Sequence, residues 1–565
     1  MGEMQVVKSA PEPVERRCEF IPSLSFEVCC RSAKARHISH FTLKPFRLIA
    51  FFSFACSFLF VDSYAAGSGQ SAEAQAHADA GLRFAQAGKL ASAETELRQA
   101  VELTPTNAAF LVDLGTVLAM DKKLEESTGF FMEALKLNSR DVAARRYLAA
   151  NLWQLRRFRE AKQNLEILLK EKPGDEQGLL LLGMISENMK NYAAAARALA
   201  AVPHLVNGRP ESIAALARSY YHLGESEKAR ALLAQLHGAA AVFLGSGIAD
   251  EAGDYAVAEK MLDSIQNSFP DQAKLGYSLA LAQYHAKRFE EAQSTLDHLR
   301  ASGFESGEIY NLLGWCREQR QHHQDAVRAF QEAINLEPTN EANYLDLGTI
   351  LLTERRLVPA LELAKRMADV FPESPRTFLL KGRVELEAVH FTDAVDSFAR
   401  TIQLDPLNPD ATIGLARAQS GAGMMTPAKT TLENAIGHFP GKAGFELELA
   451  QLLLKESDAG DAGAGVKAER LLNLAVAHDK NLAEAHYLLG DLDLRRGQAQ
   501  SALTHLERAA KLNPASAKIH FALSRGYRRL GQNEEAAKQA GLYDKLKERE
   551  TSREPEPSPD GPSSN

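Results

Sequence analysis

The chain has little of what chemistry at a site requires. Its 565 residues include five cysteines and two tryptophans. Cys18, Cys29, Cys30 and Cys56 all precede residue 66, so beyond that point only Cys316 remains. A single thiol forms no internal disulfide and no cysteine-based metal cluster. Cys316 adjoins Trp315 on an apolar helical stripe, which reads as a buried structural thiol. A nucleophilic serine elbow and a zinc-protease motif are both missing. Gly245-Ser246-Gly247 lacks the lysine of a phosphate loop and the dinucleotide fingerprint, and no strand precedes it. His322 and His323, with Asp325 close by, lie in a polar turn toward which no other ligand converges. No cofactor and no metal are therefore expected. An excess of one charge is lacking too: 65 basic and 73 acidic residues leave −8, with the signs well mixed. That argues against a nucleic-acid binder, which needs a basic face, and against a polybasic membrane-surface protein. Strand–turn–helix alternation is absent, so no α/β catalytic domain is expected and the protein reads as a non-enzyme.

What is abundant is alanine at fixed spacing. Ala93, Ala161, Ala195, Ala229, Ala258, Ala292, Ala326, Ala360, Ala394, Ala428, Ala468, Ala502 and Ala536 share one register, and Ser127 fills the gap. The interval is 34 residues except for one of 29 and one of 40. A period in this range marks a stacked repeat array.

The segment Tyr310 to Pro338 is the cleanest copy. Leu312, Leu313, Trp315 and Cys316 form one helical apolar stripe; Ala326, Ala329, Phe330, Ala333, Ile334 and Leu336 form a second. A polar turn, Gln321 to Gln324, separates them, so the unit is a helix hairpin. Gly314 lies inside the first helix, where glycine costs about 1 kcal/mol relative to alanine. Close approach of a neighbouring helix is the expected compensation. Gly81, Gly115, Gly183, Gly348, Gly382 and Gly490 hold the same position. The recurring alanine opens the second helix and permits a short crossing distance; a larger side chain would overpack. Pro338 closes the unit, since it cannot donate to a helix and disfavours helical geometry before it.

The pattern resembles the tetratricopeptide repeat: Leu313-Gly314, Ala326, Phe330, Ala333 and Pro338 match its signature, as do Leu489-Gly490, Ala502, Leu506, Ala509 and Pro514. The resemblance implies an all-α fold, a right-handed α-solenoid of about fourteen helix-turn-helix units. It also implies a concave wall built from positions two, five, nine and twelve of each first helix. On this chain those positions supply Arg146, Trp153, Arg218, Tyr221, Tyr277, Tyr284, Asn311, Trp315, Arg383, Arg417, Tyr487 and Arg525, with Arg528 beside them. Arg, Tyr and Trp are the types enriched at binding hot spots. The alternative for the Trp and Tyr residues is that they fill gaps between adjacent first helices. The Lys/Asn clamp by which one subclass of the family grips C-terminal carboxylates is absent, since Val112 and Thr116, or Leu345 and Thr349, stand at its positions.

The array runs from about residue 72 to 548. The 29-residue interval shortens a second helix near 236–241 and suggests a joint between repeats one to five (72–241) and six to fourteen (242–548). The 40-residue interval places Lys455 to Lys467, rich in Gly, Ala and Asp, where a surface loop is expected. Residues 549–565, rich in Pro, Ser and Glu, read as a disordered tail.

Residues 1–65 lie outside the array. Lys44 and Arg47 precede fourteen uncharged apolar residues, Leu48 to Val61, and Ser63-Tyr64-Ala65 follows. Basic region, apolar run and small-residue site form an export signal; a spanning helix needs about 20 apolar residues. A periplasmic location is expected, the alternative being an uncleaved inner-membrane anchor. Removing residues 1–65 takes away eight basic and six acidic residues, leaving −10. The functional expectation is a non-catalytic scaffold that holds a protein or peptide in its groove and assembles an envelope, secretion or polysaccharide-export complex. The alternatives are binding of a carbohydrate polymer and regulation of an enzyme supplied in trans.

Overall fold

Each recurring alanine is a point where two helices meet. In the computed structural model, which describes residues 69–551, eleven of the thirteen are 0% exposed, and Ala360 and Ala536 are nearly so. Ser127 is equally buried and fills the site differently. Its hydroxyl donates to the Gly115 carbonyl at 2.5 Å and accepts from Asn151 Nδ2 at 2.7 Å. A hydroxyl is tolerated because both its roles are satisfied.

The described residues form twenty-nine helices and no strand. Twenty-eight pair into fourteen hairpins, from Gly69–Gln86 with Leu90–Leu103 to Ala517–Arg529 with Asn533–Thr551. The extra one is a single turn, Pro203–Val206, where Pro203 interrupts the second helix of repeat four after Tyr192–Ala200.

The glycine inside the first helix has the reason expected of it. A Cβ on Gly314 would stand 2.8 Å from the Phe330 ring, and one on Gly382 3.0 Å from the Phe398 ring. The second helix therefore sends its large apolar side chain straight at the first helix's backbone. Phe330 is fully buried there and meets Trp315 edge-on at 5.4 Å.

Both kinds of turn follow local rules. Between repeats, a short polar side chain caps the next first helix: Asn107 accepts from Ala109 N at 3.0 Å and Asp175 from Gly178 N at 2.8 Å. Inside each hairpin one residue adopts a positive φ. In seven hairpins it is glycine; in the others it is Lys122, Arg156, Lys190, Lys287, Gln321, Arg355 or Val389. This left-handed residue ends the first helix and turns the chain back.

The chain divides into two compact units at residues 336 and 337. The first comprises repeats one to eight and the second repeats nine to fourteen. Across the 29-residue interval the second helix is short, Ser226–Leu233. One apolar cluster nevertheless runs through it from Leu180 to Ala282 by way of Leu216, Leu233, Leu236 and Ala258. Packing is continuous at that point, where the period alone had suggested a joint.

The 40-residue interval requires a correction. Residues 455–467 do not form a loop. The first helix of repeat twelve is Ala443–Asp458 and the second Ala462–His478, and only residues 459–461 turn between them. The surplus residues extend both helices of one hairpin. Asp461 caps the second by accepting from Gly463 N and Ala464 N, and Gly460 supplies the positive φ. Alanine's helix propensity and these end signals override the glycines that suggested a loop.

The apolar run 48–61, the cysteines before it, and residues 552–565 lie outside the described residues. The final helix reaches Thr551, so residues 549–551 belong to it. Among the described residues no helix is long and apolar enough to cross a membrane.

Candidate partner-binding face

Helix contacts identify the inner wall of each unit. Within a unit, the first helices of successive repeats touch one another in all but one case. No pair of successive second helices does so comparably among the described residues. Helices that touch lie on the more closely spaced side of the stack. The first helices therefore form the inner wall and the second helices the outer one.

Six of the twelve residues expected on that wall are engaged with the neighbouring repeat. Arg146 forms a two-pronged ion pair with Asp175 (3.1 and 2.6 Å) and reaches Gln177 at 2.9 Å. Arg218 bonds Glu187 at 2.6 Å and stands 3.6 Å from Glu251. Tyr221 donates to Asp254 at 2.8 Å; burial, then that carboxylate, holds its phenol well above the usual range. Arg417 pairs with Glu448 and Arg525 with Asp491 (3.6 Å). Lys518 lies 4.9 Å above the Tyr487 ring. These side chains form a ladder between adjacent first helices.

Several others face the interior. Tyr277 is 9% exposed within an apolar cluster that includes Leu296 and Leu313, so it presents no surface to a partner. Tyr284 is half-buried against Phe289 (5.4 Å), and Trp153 against a core containing Leu152 and Leu181. Trp315 is half-buried on Phe330, and Asn311 is half-buried one turn before it. Arg383 and Arg528 are exposed and make no ion pair among the described residues.

Residues not singled out from the sequence also line the wall. Phe243 stacks on Phe269 at 4.5 Å beneath Lys274. Lys518, Phe521 and Lys455 are exposed. Phe243, Lys274, Lys518 and Phe521 occupy positions five or two, so the same register rule finds them when applied to every repeat. An open cavity of about 370 Å³ is lined by Phe391 of repeat ten, Arg417 and Leu432 of repeat eleven, and Glu448, Leu452 and Lys455 of repeat twelve.

The remaining sequence features take structural places. His323 starts a helix and meets Glu318 at 3.0 Å. Gly245 and Gly247 lie inside the helix Ala239–Glu251. Cys316 is fully buried, and burial pushes its thiol up to about 12.

Profiles of the tetratricopeptide repeat family match residues 78–142, 147–210, 251–316, 307–340 and 487–544. The chain is 22% identical over 347 residues to the TPR repeat-containing protein YpiA of Bacillus subtilis, covering 58% of this chain and 77% of that protein. It is 23% identical over 255 residues to the CTR9 homolog of Arabidopsis thaliana, covering 38% of this chain and 23% of that protein. Among solved structures, yeast Tom70 aligns with a TM-score of 0.37 at 16% identity, covering 85% of this chain and 99% of that one. Cut9 with Hcn1 of the APC/C aligns at 0.33 and 14% identity, covering 81% and 97%.

Proposed function

Because this chain belongs to the tetratricopeptide repeat proteins, a family of scaffolds for protein–protein interaction and complex assembly, we propose that it is a non-catalytic scaffold holding a protein partner against the inner wall of its first helices. The observation that carries this reading is the wall itself. Successive first helices touch and present a preformed face, already fixed by inter-repeat ion pairs such as Arg146–Asp175. A face ordered before binding pays little conformational entropy on association. Cross-repeat pairing leaves exposed groups such as Arg383 and Phe521 to meet the partner.

The proposed setting is the cell envelope, where the protein would help assemble a secretion or polysaccharide-export complex after export. The support is the basic residues Lys44 and Arg47 before the fourteen-residue apolar run, followed by a small-residue site. The experiment places a photo-crosslinking residue at Arg383 and, separately, at outer-wall Val358, in chains expressed with the leader intact. Fractionation then locates the protein. Crosslinks to one protein from position 383 and not from 358, in the envelope fraction, support the reading. Equal crosslinking from both faces overturns the groove; retention in the cytosol overturns export.

A further inference from the structure

The inner wall of the last two repeats differs in charge from the chain as a whole. The protein carries −8. The first helix of repeat fourteen, Ala517–Arg529, carries Lys518, Arg525, Arg528 and Arg529 and no acidic residue. Three of these cations stand at wall positions two, nine and twelve. Between them, at position five, Phe521 is 48% exposed. Arg525 lies 6.0 Å from its ring centre, and Tyr543 packs beside it at 5.2 Å.

The preceding repeat completes the cluster. Tyr487 lies under Lys518, with Glu484, Asp491, Arg495 and Arg525 around it. Lys518 pairs with Glu484 at 2.6 Å, and Asp491 is shared between Arg495 (2.8 Å) and Arg525 (3.6 Å). Arg495 also pairs with Asp458, so three carboxylates meet three cations here and the positive surplus comes from the remaining wall arginine of the helix. Arg528 is exposed and pairs with no acidic group among the described residues. The surface is therefore a net-positive strip with an accessible aromatic ring at its centre.

We propose that this strip, at repeats thirteen and fourteen, docks an acidic segment of a partner protein bearing an apolar or aromatic side chain. The inference rests on the groove reading and adds the partner's chemistry. Arg525 and Arg528 offer the forked donors that carboxylates accept. Phe521 offers a flat apolar face that loses water on binding. Glu484 and Asp491, set among the cations, repel a continuous run of phosphates, whereas a peptide places its carboxylates singly between them. Peptide is therefore favoured over nucleic acid.

The test selects random displayed dodecapeptides on the full chain and on its Arg528→Glu variant. It then measures the winners by fluorescence anisotropy at low and high salt. Arg528 is exposed and forms no ion pair among the described residues, so thermal melts of the variant should overlay those of the parent. The expected result is enrichment of Asp, Glu and aromatic residues on the parent. Arg528→Glu and Phe521→Ala should each weaken the selected peptides about tenfold, with affinity falling as salt rises. Peptides without acidic bias, or acidic peptides bound equally by Arg528→Glu, overturn this inference and leave the groove intact. Failure of either protein to select any peptide overturns both. A single-stranded oligonucleotide that displaces the peptides at lower concentration than they bind assigns the strip to nucleic acid and also overturns it.

Discussion

Val389 is the residue least suited to its backbone. It ends the first helix of repeat ten in the left-handed conformation, φ 63°, and is 65% exposed. Its N–H donates to Leu386 O at 3.1 Å, and the next N–H, of His390, to Glu385 O at 2.8 Å. In the following repeat the same place is held by Gly423, φ 79°. For an L-residue this conformation costs about 1–2 kcal/mol, with a β-branched side chain at the upper end. Glycine removes that cost and returns about 0.5–1 kcal/mol through its freer unfolded chain. The exposed side chain forfeits little burial, and the turn's hydrogen bonds use backbone that glycine keeps. Val389→Gly should therefore stabilise repeat ten by about 0.5–1 kcal/mol. A repeat array need not unfold in one step, so the readout must be local. Hydrogen exchange over residues 375–404 in the full-length protein should slow by about two- to fivefold. The reciprocal change, Gly423→Ala, should speed exchange over 409–438 by a comparable factor, because no neighbour lies within 4 Å to compensate. Unchanged or faster exchange in Val389→Gly would refute the claim that the turn is strained.

Three further outcomes follow from the same geometry. Gly314→Ala places a methyl 2.8 Å from the Phe330 ring and should destabilise repeat eight by about 1–3 kcal/mol in urea titrations; Gly314→Ala with Phe330→Leu should recover part of the loss. Cys316, buried and with its thiol pushed up to about 12, should resist alkylation at pH 8 in the native protein and react at once in denaturant. His486 is held below the ordinary histidine value, chiefly by burial. The unfolded chain then takes up protons more readily than the folded one, so stability falls as pH drops below about 6.5 and levels once the folded histidine also protonates. His486 donates from Nε2 to Lys480 O at 3.3 Å, as Tyr344 donates to Pro338 O from the same repeat position. His486→Tyr should accordingly keep the fold and flatten the pH dependence of exchange over 483–512.

Periodicity alone determined the architecture. Alanine every 34 residues, a glycine twelve residues before it and a proline near the end of each copy specify a hairpin, because each is set by contact within one repeat or with the next. Such short-range geometry is legible residue by residue, and the hairpin boundaries follow it closely. What the period could not convey was how a changed interval is absorbed. Six surplus residues at 455–467 lengthen two helices rather than form a loop, since both helix ends found caps. The shortened Ser226–Leu233 leaves the core unbroken. The register also picked out wall residues without revealing their state. Whether Arg218 meets Glu187, Tyr277 turns inward, or Arg383 stays exposed depends on what the neighbouring repeat offers at that height. That is a matter of side-chain partners a whole repeat away in sequence, and only the stacked helices decide it.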